Sequence, residues 1–101
     1  MVNGLSLTLR DAQHLCWKTY KKFEPKDKAA GASETAAGLA AKAGVLAEKL
    51  KGAEPAVGKE ELAGLLSELL FDAFVLAEQG GVDLEEAFLQ SVDDYILRMV
   101  K

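Results

Sequence analysis

Four stretches of the chain repeat apolar residues at helical spacing, and the gaps between them, Glu24 to Ala32, Gly52 to Gly58 and Gln79 to Val82, each contain glycine or proline. In the first stretch Leu9, Ala12, Cys16, Tyr20 and Phe23 recur every three or four residues and share a face, leaving Lys18, Lys21 and Lys22 to solvent. Thr8 is placed to cap this helix, with Asp11 three residues on to reach back. Pro25 ends it, because the residue before proline is pushed out of the α region. The second helix is expected to start at a Ser33 cap and run to about Lys51, with Gly52 as its left-handed C-cap. Its core face reads Leu39, Ala43, Leu46 and Leu50, and its many alanines allow a neighbouring helix to approach closely.

The third helix spans about Lys59 to Glu78, and twelve of the sixteen residues from Leu62 to Ala77 are apolar, distributed almost all round. A helix apolar on most sides must be buried on most sides, which one small subunit cannot do. The expectation is a homodimer with this helix at its centre, with a tetramer as a further doubling. The fourth helix follows Gly80-Gly81, capped by Asp83 with Glu86 three residues on. Phe88, Val92, Tyr95 and Met99 form its expected buried stripe, and Arg98 and Lys101 meet the negative end of the helix dipole. The fold class is therefore all-α, a four-helix subunit that dimerises into a multi-helix bundle.

Composition sharpens this picture. The chain has 101 residues, enough for a single domain over 1–101, and its 16 alanines and 16 leucines favour helix. Twelve basic against sixteen acidic residues leave a net charge of −4, which excludes the basic excess of a nucleic-acid binder. A single cysteine, Cys16, and a single histidine, His14, give neither an internal disulfide nor a Cys/His zinc site. Residues Met1 to Leu5 lack the pattern of a secretory leader, and Glu68 and Asp72 break the longest apolar run well short of a membrane span. A soluble cytoplasmic protein is expected.

The candidate chemistry lies in a polar stripe. At about 100° per residue, Glu61, Gly64, Glu68 and Asp72 fall near 0°, 300°, 340° and 20°, within one narrow band. Carboxylates on an otherwise apolar helix are costly to bury unless solvated, paired or coordinating a cation. On the second helix Ala41, Val45 and Glu48 share a face. Were the two faces to meet, Glu48, Glu61 and Glu68 would converge as oxygen ligands suited to Mg²⁺. The alternative is a solvated face, or pairing with Lys42, Lys49 or Lys51. His14 near Cys16 and Trp17 suggests nucleophilic chemistry only weakly, since adjacent helical positions point apart and no third orienting group is evident; packing is the better reading. Trp17 and Tyr20 suit either a core or the stacking of a base. Lys18, Lys21, Lys22, Lys26 and Lys28 form a basic cluster, either a phosphate contact or a solvated surface.

Three segments resemble the all-α nucleoside triphosphate pyrophosphohydrolases of the MazG type. The stretch from Lys59-Glu60-Glu61-Leu62-Ala63-Gly64 through Gly81-Val82-Asp83-Leu84-Glu85-Glu86-Ala87 is similar to the family's E-E-L-A-D helix and the G-[IV]-D-L-E-E-A start of its last helix. Leu39 to Glu48 resembles L-A-E-E-x-G-E-L-A-E, and Leu9-Arg10-Asp11-Ala12-Gln13 resembles the amino-terminal helix. The likeness runs from about Leu7 to Arg98.

The resemblance implies a Mg²⁺-dependent enzyme that splits nucleoside triphosphates into monophosphate and pyrophosphate. It also implies metal ligands in an E-x-x-E pair on the second helix and an E-x-x-D pair on the third. The matching positions are Lys42, Val45, Glu61 and Gly64, so only Glu61 keeps its oxygen donor. The family's nucleotide-contacting lysine and asparagine fall near Ser91 and Tyr95, and Arg98 alone matches. Three functions follow as expectations. The first is a catalytically weak or silent MazG-like protein that binds a nucleotide or a protein partner. The second is an active enzyme with a displaced ligand set of Glu48, Glu61, Glu68 and Asp72, in which Arg98 and Trp17 meet the nucleotide. The third is a structural interaction module.

Overall fold

The structure is a computed structural model that describes residues 7–23, 28–51 and 57–100. These form four helices, α1 (Leu9–Phe23), α2 (Lys28–Lys49), α3 (Lys59–Gly80) and α4 (Leu84–Val100), with no strand among the described residues. Pro25, Lys26, Gly52, Lys101 and the first five residues lie outside the described part, as do the side chains of Phe23 and Lys28. Among the described residues no helix is long and apolar enough to cross a membrane.

The start of α1 is a reciprocal cap. The Asp11 amide donates to Thr8 Oγ1 at 3.0 Å and the Thr8 amide donates to Asp11 Oδ2 at 3.2 Å. At the end of α3, Gly81 takes φ 72°, with the Val82 amide donating to the Ala77 carbonyl at 2.8 Å and the Gly81 amide to that of Glu78 at 3.2 Å. This is the glycine-terminated helix end that returns the chain sharply. It carries α3 two residues beyond the expected Glu78.

The second helix departs from expectation at both ends. It begins at Lys28, upstream of Ser33, and ends at Lys49, short of Lys51. Ala29, Ala30 and Ala32 supply helix propensity across what glycine content suggested was linker. Gly31 serves packing here: a Cβ on it would lie 2.8 Å from Gln79 Nε2 on α3 and 3.1 Å from the Tyr20 hydroxyl on α1. The expected core face is also shifted. Leu39 and Leu46 are half-buried, but Ala43 and Leu50 are exposed, while Gly31 and Thr35 are buried. The inward stripe runs Gly31, Thr35, Gly38, Lys42, Leu46, Lys49, and the lysines lay their alkyl stems along the seam with charged heads free to pair.

Helix α3 is central, with α2 and α1 packed along it, while α4 meets α1. Phe74, Val75 and Ala77 of α3 are buried. On α1, Leu9, Ala12, Cys16 and Tyr20 are half-buried as the spacing predicts, yet the polar Gln13 is buried more deeply than any of them. The expected burial of α3 on most sides is not reached within one chain, since Leu66 and Leu70 stay half-exposed. The expected stripe of α4 is not buried within one chain either: Phe88 is 52% exposed, Tyr95 60% and Met99 72%, with Val92 exposed as well. The helix leaves the bundle after its first turns, so the described residues leave that stripe open. The radius of gyration, 15.9 Å, accordingly exceeds the roughly 13 Å of a compact domain of this length.

Candidate functional site

The α2–α3 seam does bring the acidic band beside α2, and lysines meet it there. Lys42 Nζ donates to Asp72 Oδ2 at 2.8 Å and lies 3.9 Å from Glu68 Oε1. Lys49 Nζ is 2.9 Å from Glu61 Oε2, and Lys51 Nζ is 3.6 Å from Glu48 Oε2. All four candidate ligands, Glu48, Glu61, Glu68 and Asp72, are thus within ion-pair distance of an ammonium group. Asp72 is the best shielded, its side chain 15% exposed against 60% for Glu68, so the Lys42–Asp72 pair is the one least screened by water.

A divalent cation needs several oxygen donors converging on one point. Among the described residues no group of three or more His, Cys, Asp or Glu is arranged that way. The residues present do not fit Mg²⁺: Lys42 contributes a positive charge within the band and takes the oxygen a metal would use. Beside it lies a depression of about 220 Å³ bounded by residues that include Tyr20, Thr35, Gly38, Lys42 and Asp72. This is smaller than the roughly 300–1,000 Å³ of most small-molecule sites.

The two candidate nucleotide contacts sit within their own helices. Trp17 stacks on Tyr20, ring centroids 5.7 Å apart, with Lys21 Nζ 5.6 Å from the Trp17 ring. Arg98 lies over the Tyr95 ring at 5.4 Å.

A second polar cluster, which spacing alone did not indicate, joins α1 to the α3–α4 turn. Gln13 Nε2 donates to the Val82 carbonyl at 2.8 Å and to Glu78 Oε2 at 3.1 Å, and Gln13 Oε1 accepts from the Leu84 amide at 3.0 Å. An α1 side chain thereby satisfies one of the free amides at the start of α4. The Asp83 cap foreseen from sequence is present, accepting from the Glu86 amide at 3.3 Å. Arg10 Nη2 is 2.7 Å from Asp83 Oδ2, Arg10 Nη1 is 3.4 Å from Glu85 Oε2, and the Arg10 amide donates to Glu85 Oε1 at 3.0 Å. The Arg10 hydrogen bond holds the Asp83 carboxyl below its usual range.

His14 Nδ1 lies 2.8 Å from Glu78 Oε2, and its side chain is largely exposed. This pairs His14 with an acid on α3. Burial raises the Cys16 thiol above its usual value, the reverse of an activated nucleophile. The signal for the α1–α4 cluster in the sequence was Gln13, a polar residue one position from Ala12 on the apolar stripe. No known protein family, curated protein or solved structure matches the chain.

Proposed function

We propose that this chain is a catalytically silent MazG-like protein. On this reading it keeps the helical scaffold and homodimeric assembly of the nucleotide pyrophosphohydrolases and has exchanged metal-dependent cleavage for a protein- or nucleotide-binding role. The observation that carries the reading is Lys42, whose ammonium bonds Asp72 at 2.8 Å on the seam where the resemblance calls for a metal-binding carboxylate. A lysine there removes an oxygen ligand and supplies a fixed cation, so the charge that Mg²⁺ would offset on a triphosphate is left without a partner. Leu66 and Leu70, half-exposed on α3, support self-association.

Pyrophosphate release from deoxy- and ribonucleoside triphosphates with Mg²⁺ or Mn²⁺ tests this. The expected result is release at the protein-free background, with no change in melting temperature on adding either metal. Release that disappears in Glu61→Gln, or a metal-dependent rise in melting temperature, overturns silence, since a ligand selective for the folded state stabilises it. The same lysine–carboxylate pairs favour a second reading, a structural module with no nucleotide chemistry. A non-hydrolysable triphosphate that raises the melting temperature separates the first reading from the second.

A further inference from the structure

We infer that the open face of α4 is covered by α4 of a second copy of this chain, the two helices antiparallel and crossing near Val92. The inference rests on the self-association proposed above and adds its surface and direction. Among the described residues α4 is held at its beginning, through Arg10 and Gln13 and through Leu84, Ala87 and Phe88, which face Leu9 and Phe74 across a cleft of about 350 Å³. Every residue from Glu86 to Val100 is exposed.

Those exposed residues are ordered. With Val92 set at 0° and about 100° per residue, Leu89, Ile96 and Val100 lie near 60°, 40° and 80°, and Tyr95 and Met99 near −60° and −20°. This is a continuous apolar arc, with Asp93 at its edge near 100° and Asp94 behind it near 200°. Glu85 falls inside the arc, but it sits in the first turn, where Arg10 holds it. Taking roughly 200 Å² for a whole large apolar side chain, the exposed fractions of these six, 37% for Val92 to 77% for Val100, leave on the order of 700 Å² open. Both sides of a two-fold pair then approach the roughly 800 Å² per partner of a standard interface.

Charge fixes the direction and favours a second copy. The first turn of α4 and its cap carry Asp83, Glu85 and Glu86, and the last turn carries Arg98. An antiparallel pair opposes the helix dipoles and keeps the two acidic first turns apart, whereas a parallel pair stacks acid on acid. Val92 is the midpoint of Leu84–Val100, so a two-fold axis there brings the arc onto itself over the full helix. Four carboxylates against one arginine on α4 disfavour an anionic membrane as the cover.

Cysteine cross-linking in the full chain, on a Cys16→Ser background, tests the arrangement beside light scattering at micromolar concentration. The unmodified chain is expected to be a dimer. Val92→Cys is expected to link to itself under mild oxidation, and a mixture of Leu89→Cys and Ile96→Cys chains to give mostly the mixed 89–96 link. Asp94→Cys, on the back of the helix, is expected not to link. Ile96→Glu is expected to weaken the dimer by roughly 100-fold or more while the circular dichroism of the helices is kept, as for a charge placed in a desolvated interface centre. A dimer that persists in Ile96→Glu, or that links at Leu66→Cys and not at Val92→Cys, overturns the inference and leaves self-association standing. Links of 89 to 89 and 96 to 96 overturn the antiparallel direction. A monomeric unmodified chain overturns both.

Discussion

Along the α2–α3 seam, Lys42 and Lys49 occupy inward positions where paired helices ordinarily place aliphatic side chains, whereas the last three turns of α4 hold their aliphatic side chains out to solvent. The two helices differ in what stands opposite. The lysines face carboxylates and find partners within 3 Å. The outer α4 side chains face no other helix among the described residues. Residue type thus says how a face is satisfied, and the opposing surface decides whether it is inside.

The largest effect that separates the two regions is loss of core volume. Phe74→Ala, at 3% exposure, is expected to cost about 3–5 kcal/mol in chemical unfolding, while Leu97→Ala at 65% exposure stays within about 0.5 kcal/mol. Equal losses would mean that the outer half of α4 is as packed as α3. Next comes Gln13→Met, which leaves the Val82 carbonyl and Leu84 amide without their partner and is expected to cost about 2 kcal/mol. Faster hydrogen exchange at the start of α4 than at the α2–α3 seam would place that loss at the α1–α4 joint.

Lys42→Met strands the shielded Asp72 carboxylate and is expected to cost about 1–2 kcal/mol. The double change Lys42→Met with Asp72→Leu should recover most of it, because an apolar pair of similar volume replaces a partly buried ion pair at little net cost. Failure to recover would show that the seam needs its charges for more than mutual compensation.

The smallest effect is the acid response of Asp83. Its folded-state pKa is below the ordinary 3.8, so its contribution is fully present above that value and is lost as pH falls through the lowered one. Arg10→Ala is expected to remove the part of the acid unfolding limb that lies below about pH 4. Both side chains are partly open to solvent, so high salt should shift the limb the same way in the unmodified chain.

Much of this was legible before any coordinates. The Thr8–Asp11 and Asp83–Glu86 caps followed from four-residue patterns because capping is local chemistry, complete within one turn. The beginning of α2 was not legible, since Gly31 reads as a breaker until Gln79 and Tyr20 are seen to need the space. Alanine bias hid the inward face of α2 as well: with apolar residues on every side, periodicity cannot choose Gly31 and Thr35 over Ala43 and Leu50. Gln13 escaped for a different reason. Its three bonds reach residues 65 to 71 positions away, and no local rule relates α1 to the turn after α3.

The ammonium of Lys42 is tethered by its own main chain, so it has no dissociation constant and no competitor. A scaffold clasped by a bound ion loosens when a chelator strips it and tightens when supply returns, whereas a covalently tethered ammonium cannot be stripped from Asp72. The partner of Asp72 is written in the gene and stays at its post whatever the surrounding solution holds.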